Sequence, residues 1–347
     1  VSGAISVIMP AYNAAATIRD SLESALRQTR AAQEIVVVDD GSQDATAAIV
    51  ADIAREHPAV VLLRQANAGP MVARNAAIAH SRGVLIAPLD ADDLWHDDYL
   101  ADVAGAVEAD GASGFAYALH RVIDADGRVV LDGGNWRVAG HCLYRLAFMN
   151  VVGNGSAAVF RRQALLAVGG YDEATQGWGG AEDYLLQLRI AAVAPVVQVP
   201  RFLVGYRRLP DSYSSAPEIA RRARLLAVEE IRTVRPDVPA QAGQWAASDA
   251  SRVLAVQQIR RRRFVSALCW GLRGVSEDPR GSVSDFCRRI LNMAKRKGMR
   301  RDNAISPDFL SLDPDTTLGG GPDAQTIERL AWLESCEVGR QAAWSPS

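Results

Sequence analysis

Four short apolar runs follow one another in the first ninety residues, at 5–10, 34–39, 60–63 and 83–89. Between them lie stretches with helical spacing: 14–29, carrying Ile18, Leu22, Ala25 and Leu26, then about 44–56, then 70–81, carrying Arg74 and Asn75. A continuous apolar run too short for a helix fits a strand buried on both faces. Four such runs alternating with helices predict an α/β fold: a parallel sheet with helices on both faces. Right-handed crossovers then put every loop that follows a strand on one edge of the sheet. Tyr12, Asp39, Asp40, Asp90 and Asp92 are therefore expected to converge, although 80 positions separate the first from the last.

Two of these strand ends are acidic. The second run ends in Asp39-Asp40-Gly41-Ser42 and the fourth in Leu89-Asp90-Ala91-Asp92-Asp93. Carboxylates packed at the carboxyl end of a buried strand concentrate charge where open α/β sheets bind ligands. Such a cluster calls for a cation, and hard oxygen ligands suit Mg²⁺ or Mn²⁺. The plainer alternative is an acidic loop capping the helix that starts near Asp97. Composition narrows the chemistry further. The only lysines are Lys295 and Lys297, so neither a P-loop lysine nor a Schiff-base lysine can serve the first domain. A formal net charge of -2 argues against nucleic acid as a partner. Cys142, Cys269, Cys287 and Cys336 are scattered, which disfavours a zinc site or disulfide framework and fits a reducing cytoplasm. No uncharged apolar run approaches the length of a membrane span.

Further along, 97–108 reads as a helix, 115–117 and 128–131 as strands around an Asp126-Gly127 turn, and 154–160 as a strand. A helix over 161–168 is stopped by Gly169-Gly170. A glycine-rich loop at 177–180 runs into a helix with Glu182 and Asp183 in its first turn, where the helix dipole favours an ionised carboxylate. Ordinary N-capping explains that pair equally well. A strand over 196–206 is followed by Arg207 and Arg208. From 215 the composition changes: 215–300 holds 18 Arg and Lys against 8 Asp and Glu, in a helical pattern. Arg260-Arg261-Arg262-Arg263 precedes an apolar stripe of Phe264, Leu268 and Leu272. This is either a helix solvated on one face or a contact with an anionic membrane. The expected organisation is a domain over 1–214, divided into halves 1–93 and 94–214, then a basic helical region over 215–301, then a loosely packed tail over 302–347 around one helix at about 323–335.

Taken together, the motifs over about 5–215 resemble family 2 of the glycosyltransferases. They are Val7-Ile8-Met9-Pro10-Ala11-Tyr12-Asn13, Ile35-Val36-Val37-Val38-Asp39-Asp40-Gly41-Ser42, Ala73-Arg74-Asn75, Leu89-Asp90-Ala91-Asp92-Asp93, Gly169-Gly170-Tyr171-Asp172 and Glu182-Asp183. Each is weak alone; their order and spacing make the resemblance. It implies a GT-A fold, with a Rossmann-like, mostly parallel sheet and an added helical region. It also implies inverting transfer of a sugar from a nucleotide-sugar, a UDP-sugar first among them, in bacterial surface polysaccharide or glycoconjugate synthesis. On that likeness Pro10, Ala11, Tyr12, Asn13, Asp39, Arg74, Asp90 and Ala91 bind the nucleotide, with Asp39 facing the base. Asp92, ahead of Asp90, would ligate Mn²⁺ or Mg²⁺. Asp183, ahead of Glu182, would be the base for a saccharide or lipid-linked acceptor.

The family often carries a histidine where this chain has Leu209, and no histidine follows His141. Arg207 and Arg208 would then take part of the diphosphate charge. Trp136, Tyr144 and Trp178 are candidates for the acceptor wall, although aromatic residues more often pack cores. The expected location is the cytoplasm, and the basic region 215–301 with its apolar stripe makes peripheral contact at the inner face of the membrane the alternative to a solvated face. Two other readings stay open: a non-catalytic nucleotide-sugar-binding protein on the same scaffold, and a sugar-phosphate nucleotidyltransferase. The latter would want a glycine-rich, basic first loop, which Pro10-Ala11-Tyr12-Asn13 is not.

Overall fold

A computed structural model describes residues 3–178, 181–208, 217–279, 306–318 and 323–341. Leu209 and the serines after it lie outside these residues. Strands β1 (Ile5–Ala11), β2 (Glu34–Asp39), β3 (Val60–Arg64) and β4 (Leu85–Pro88) alternate with helices α1 (Ile18–Leu26), α2 (Thr46–Glu56) and α3 (Pro70–His80). The four strands pair in parallel in the order β3-β2-β1-β4. Ala11 lies opposite Asp39, and Asp39 opposite Arg64, so the first three strands finish at one level. Helix α1 starts later than its apolar spacing suggests, because residues ahead of it are spent on a turn. Asn13 takes a left-handed conformation at φ 48°, one that asparagine tolerates. The Thr17 hydroxyl then donates to the Ala91 carbonyl at 2.8 Å, tying this loop to the one that follows β4.

The second half turns the parallel sheet into a mixed one. It adds β5 (Leu94–Trp95), α4 (Tyr99–Asp110), β6 (Phe115–Ile123), β7 (Val129–Asp132), α5 (Leu143–Phe148), β8 (Ala158–Arg161), α6 (Arg162–Ala167), α7 (Glu182–Ala191) and β9 (Val196–Arg207). The strand order is β3-β2-β1-β4-β8-β6-β9-β5, with β7 on β6. Strand β8 runs against both β4 and β6, while β9 runs parallel to β6. Helix α5 has no counterpart in the sequence reading. All six of its residues are buried, so it shows no polar face from which a helical period can be read.

Helices α8 (Pro217–Val234), α9 (Ala240–Arg260), α10 (Phe264–Glu277) and α11 (Ala324–Gln341) follow. Helix α8 packs on α7, and α9 and α11 pack on α5. The apolar cluster beneath the sheet runs on without a break through Ala223, Val228, Ile231 and Ala242 to Leu333. Arg145 of α5 is buried and donates through Nε to Glu337 of α11 at 2.6 Å. The backbone N–H groups of Tyr144 and Arg145 donate to the same Glu337 carboxylate.

The 306–318 segment is held more firmly than a loose tail. Val129 N donates to the Pro307 carbonyl, Phe309 N to Gly127 and Phe202 N to Pro314, at 2.9–3.0 Å. Phe309 is fully buried in a small cluster with Leu94, Ile123 and Val129. One buried aromatic side chain, three backbone bonds and side-chain bonds from Arg121, Arg128 and Arg201 seat it, and contacts so scattered along the chain cannot be read as a period. Phe309→Ala is expected to cost about 3 kcal/mol of unfolding free energy in a denaturant titration. A loss below about 1 kcal/mol would show that this segment contributes little.

Candidate active site

The loops after β1, β2 and β3 are stitched together by side chains at the carboxyl edge of the sheet. Asn13 N donates to Ser42 Oγ at 3.0 Å, and Asn13 Oδ1 accepts from Gln43 N at 2.9 Å. Asp40 accepts from Gln65 Nε2, Ala68 N and Gly69 N, so its charge is spent on holding the loop before α3. Asp39 differs. Its carboxylate is buried; Oδ1 accepts a long bond from Ser42 N at 3.4 Å. Its Oδ2 has no hydrogen-bond partner and lies 3.6 Å from Arg64 Nε. Pro10 and Ala11 form the end of β1 beside it, Tyr12 is half exposed, and Ala91 is buried against Thr17.

Asp90, Asp92 and Asp93 have separate tasks. Asp93 is fully buried and accepts from Ser156 Oγ at 2.6 Å and Arg207 N at 2.9 Å. Burial first, then the charges of Asp92 and Asp90, raise its carboxyl well above the usual carboxylate range. It braces the loop. Asp90 N donates to the same Ser156 Oγ, its Oδ1 accepts from Arg74 Nη2 at 2.6 Å, and its Oδ2 is turned elsewhere. Asp92 is half-buried; burial, then the charge of Asp90, push its carboxyl up to about 6. Two carboxylates that crowd each other in this way gain from a divalent cation, and their oxygen donors fit Mn²⁺ or Mg²⁺.

Arg74 joins this strand end to the start of α7. Its Nη1 donates to Glu182 Oε1 at 3.0 Å, and its guanidinium sits over the Tyr171 ring, 5.2 Å from the centroid. The next residue fixes that ring: Asn75 Nδ2 donates to the Tyr171 carbonyl, and Tyr171 N donates back to Asn75 Oδ1. Asp172 in turn accepts from Arg189 of α7 at 2.7 Å. With Glu182 engaged, Asp183 is the carboxylate that faces the edge. A Cβ placed on Gly155 would lie 3.5 Å from Asp90 Oδ2 and 3.6 Å from both Arg74 Nη2 and Asp183 Oδ2. The three groups therefore line one small cradle. Burial, then the Glu182 charge, push the Asp183 carboxyl up to about 7, against the pull of Arg74.

Two expected site residues are placed elsewhere. Arg207 is buried, and its guanidinium donates to the carbonyls of Asp92 and Ala125 and lies near Asp20; it braces loops instead of facing a diphosphate. Tyr144 is buried in α5, and its hydroxyl donates to Asp237 Oδ2 at 2.7 Å, so it is core and not acceptor wall. Arg208 remains exposed over the Tyr206 ring, and Trp136 and Trp178 pack half-buried against the main core. The residues that sequence reasoning left without a role are Arg64, Tyr171, Gly155 and Ser156. Tyr171 stood inside a recognised motif; the other three carry no local signal.

A mixed sheet with two acidic strand ends, facing a helix that begins Glu182-Asp183, defines a glycosyltransferase fold of the GT-A type. Residues 6–168 match the model of the glycosyl transferase family 2, and the chain carries a domain of that family. It is 30% identical over 205 residues to chondroitin synthase of Escherichia coli, covering 59% of this chain and 29% of that protein. It thus spans less than a third of that relative. Its fold matches S. aureus TarS 1-349 in complex with UDP-GlcNAc at a TM-score of 0.54 and 17% identity, over 80% of this chain and 92% of that one. It also matches the mannosyltransferase PcManGT from Pyrobaculum calidifontis, in complex with GDP-Man and Mn²⁺, at 0.55 and 19%, over 99% and 89%.

The Gly155 cradle yields a direct test. A methyl group there makes only ordinary contacts, so Gly155→Ala is expected to leave stability within about 0.5 kcal/mol. If a nucleotide-sugar occupies the cradle, the same change should lower its affinity about tenfold, roughly 1.4 kcal/mol, by filling that space. Unchanged affinity in calorimetry would place the ligand elsewhere.

Proposed function

We propose that the chain is an inverting glycosyltransferase that moves a sugar from a UDP-sugar to a hydroxyl of a saccharide, free or lipid-linked, in polysaccharide or glycoconjugate synthesis. The observation that carries this reading is the meeting of Asp90, Arg74 and Asp183 around Gly155. Asp39, buried with one oxygen that accepts no hydrogen bond, is suited to accept from the N–H of a uracil ring. Asp92 and Asp90 would hold Mn²⁺ or Mg²⁺, which when bound supplies charge neutralisation to the leaving diphosphate. Arg208 is an exposed cation that can share that charge.

Asp183 takes the proton of the acceptor hydroxyl as that oxygen attacks the anomeric carbon from the face opposite the diphosphate. The bond to the diphosphate breaks as the new glycosidic bond forms, and the electron pair leaves on the diphosphate. Glu182 positions Arg74, and Arg74 keeps Asp90 and Glu182 from repelling the ionised base. Asp183→Asn should retain UDP-sugar binding and lose about 10²–10⁴ in transfer, or in the slow release of UDP from the donor. A base must be ionised, so the wild-type rate should fall as pH drops through about 7, where the Asp183 carboxyl takes up its proton. Full activity in Asp183→Asn would remove this residue from the chemistry.

Cation binding can be measured separately. If Asp92 and a diphosphate share one ion, UDP and Mn²⁺ must raise each other's affinity by the same factor. Calorimetry should show tighter UDP binding with Mn²⁺ in the wild type and no such gain in Asp92→Asn. UDP affinity indifferent to Mn²⁺ in the wild type would leave the charge to arginine alone.

A further inference from the structure

Helix α10 turns its small residues inward and its large apolar ones outward. It rests on α9 with Ala267 and Gly274 buried. A Cβ on Gly274 would lie 3.2 Å from Arg252 Cγ and 3.4 Å from the Ser248 carbonyl, and Ser248 Oγ donates to the Gly274 carbonyl at 2.7 Å. On the other side Phe264 is 66% exposed, Val265 79%, Leu268 63% and Leu272 61%. Spaced at 264, 268 and 272, with Val265 and Val275 beside them, they share one face of the helix. Single exposed apolar residues are ordinary, but a contiguous stripe of this kind marks an interaction site.

The corner leading into this helix is cationic. Arg261, Arg262 and Arg263 are all exposed, and none of the three makes an ion pair among the described residues. Arg262 sits in the left-handed region at φ 57°, where glycine is the usual residue. The chain keeps an arginine there regardless.

We propose that α10 and the corner at 261–263 form a docking surface for an anionic lipid bilayer, with α10 lying in the plane of the interface. Phe264, Leu268 and Leu272 enter the boundary between headgroups and acyl chains, and the arginines pair with anionic headgroups at the rim. Charge selects this occupant over the alternatives. A second copy docked on the same face would bring the same arginines together. The sequence at 280–301 carries eight Arg and Lys against one Asp, so it repeats the charge and cannot neutralise it. The surface is tied to the rest of the molecule by packed helices: α10 on α9, α9 on α8, and α8 on α7, which begins with Glu182 and Asp183. Membrane docking of this kind is independent of the chemistry assigned to the active site.

The test is flotation of the whole chain with vesicles of phosphatidylcholine alone or mixed with phosphatidylglycerol. Most of the protein should float with the anionic vesicles at low salt, and several-fold less at high salt or with phosphatidylcholine alone. Phe264→Glu with Leu268→Glu, and separately Arg261→Glu with Arg263→Glu, should each reduce binding to anionic vesicles about tenfold or more. Because these side chains are exposed, both variants should keep the wild-type unfolding temperature and UDP affinity. Wild-type protein that floats with neither vesicle overturns the proposal, as do variants that float as well as the wild type. A dimer in light scattering that Leu268→Glu dissociates, without flotation, would assign the face to a second copy instead.

Discussion

The site depends on one buried guanidinium. Arg74 comes from a helix in the parallel half of the sheet and bridges Asp90, 16 residues on, and Glu182, 108 residues on. A buried arginine is tolerated only where its charge is fully paired, and losing one partner of such a pair costs about 3–5 kcal/mol. That requirement welds the end of β4 to the first turn of α7. The Tyr171 ring below it and the Asn75 clamp on the Tyr171 backbone leave the guanidinium little room to move. Without Arg74, three carboxylates would crowd one cradle. The Arg74 charge works against the burial and the Glu182 carboxylate that push the Asp183 carboxyl up to about 7.

The same logic sorts the acidic residues of the edge. Asp40 and Asp93 spend their oxygens on backbone N–H groups and a serine, and so fix two loops. Asp39, Asp90, Asp92 and Asp183 each keep an oxygen or a charge that the protein does not fully satisfy. The structural carboxylates create the rigid rim that holds the others in place. Chemistry of this kind needs that rigidity, because reacting groups gain most when their geometry is set before the ligand arrives.

The first ninety residues were the most legible part of the chain. Their strands are buried on both faces, so apolar runs, helical spacers and acidic ends all point to one arrangement, and β1 to β4 follow it. What lay beyond local patterning was less visible. Strand β5 is two residues long, and α5 is six residues long and buried on every side, so neither carries a period. The contacts of Arg74 with Glu182, Asn75 with Tyr171, and Phe309 with the β6 edge join positions about 100 residues apart or more, which no short-range signal records. Tyr144 and Arg207 were read by residue type, an aromatic for a sugar and an arginine for a phosphate. Both proved to be buried hydrogen-bond donors to Asp237 and to loop carbonyls, a role that chemistry alone does not separate from binding.

The proposed chemistry reduces to a single displacement at the anomeric carbon, with one carboxylate, Asp183, acting on the incoming oxygen. The most direct measurement is proton NMR of the first sugar released or transferred from a UDP-α-sugar, recorded before mutarotation. A β-configured product is the expected result, because one attack from the face opposite the diphosphate inverts the centre. An α-configured product would require either two successive displacements or attack from the same face, and would contradict a role for Asp183 as the base of a single inverting step.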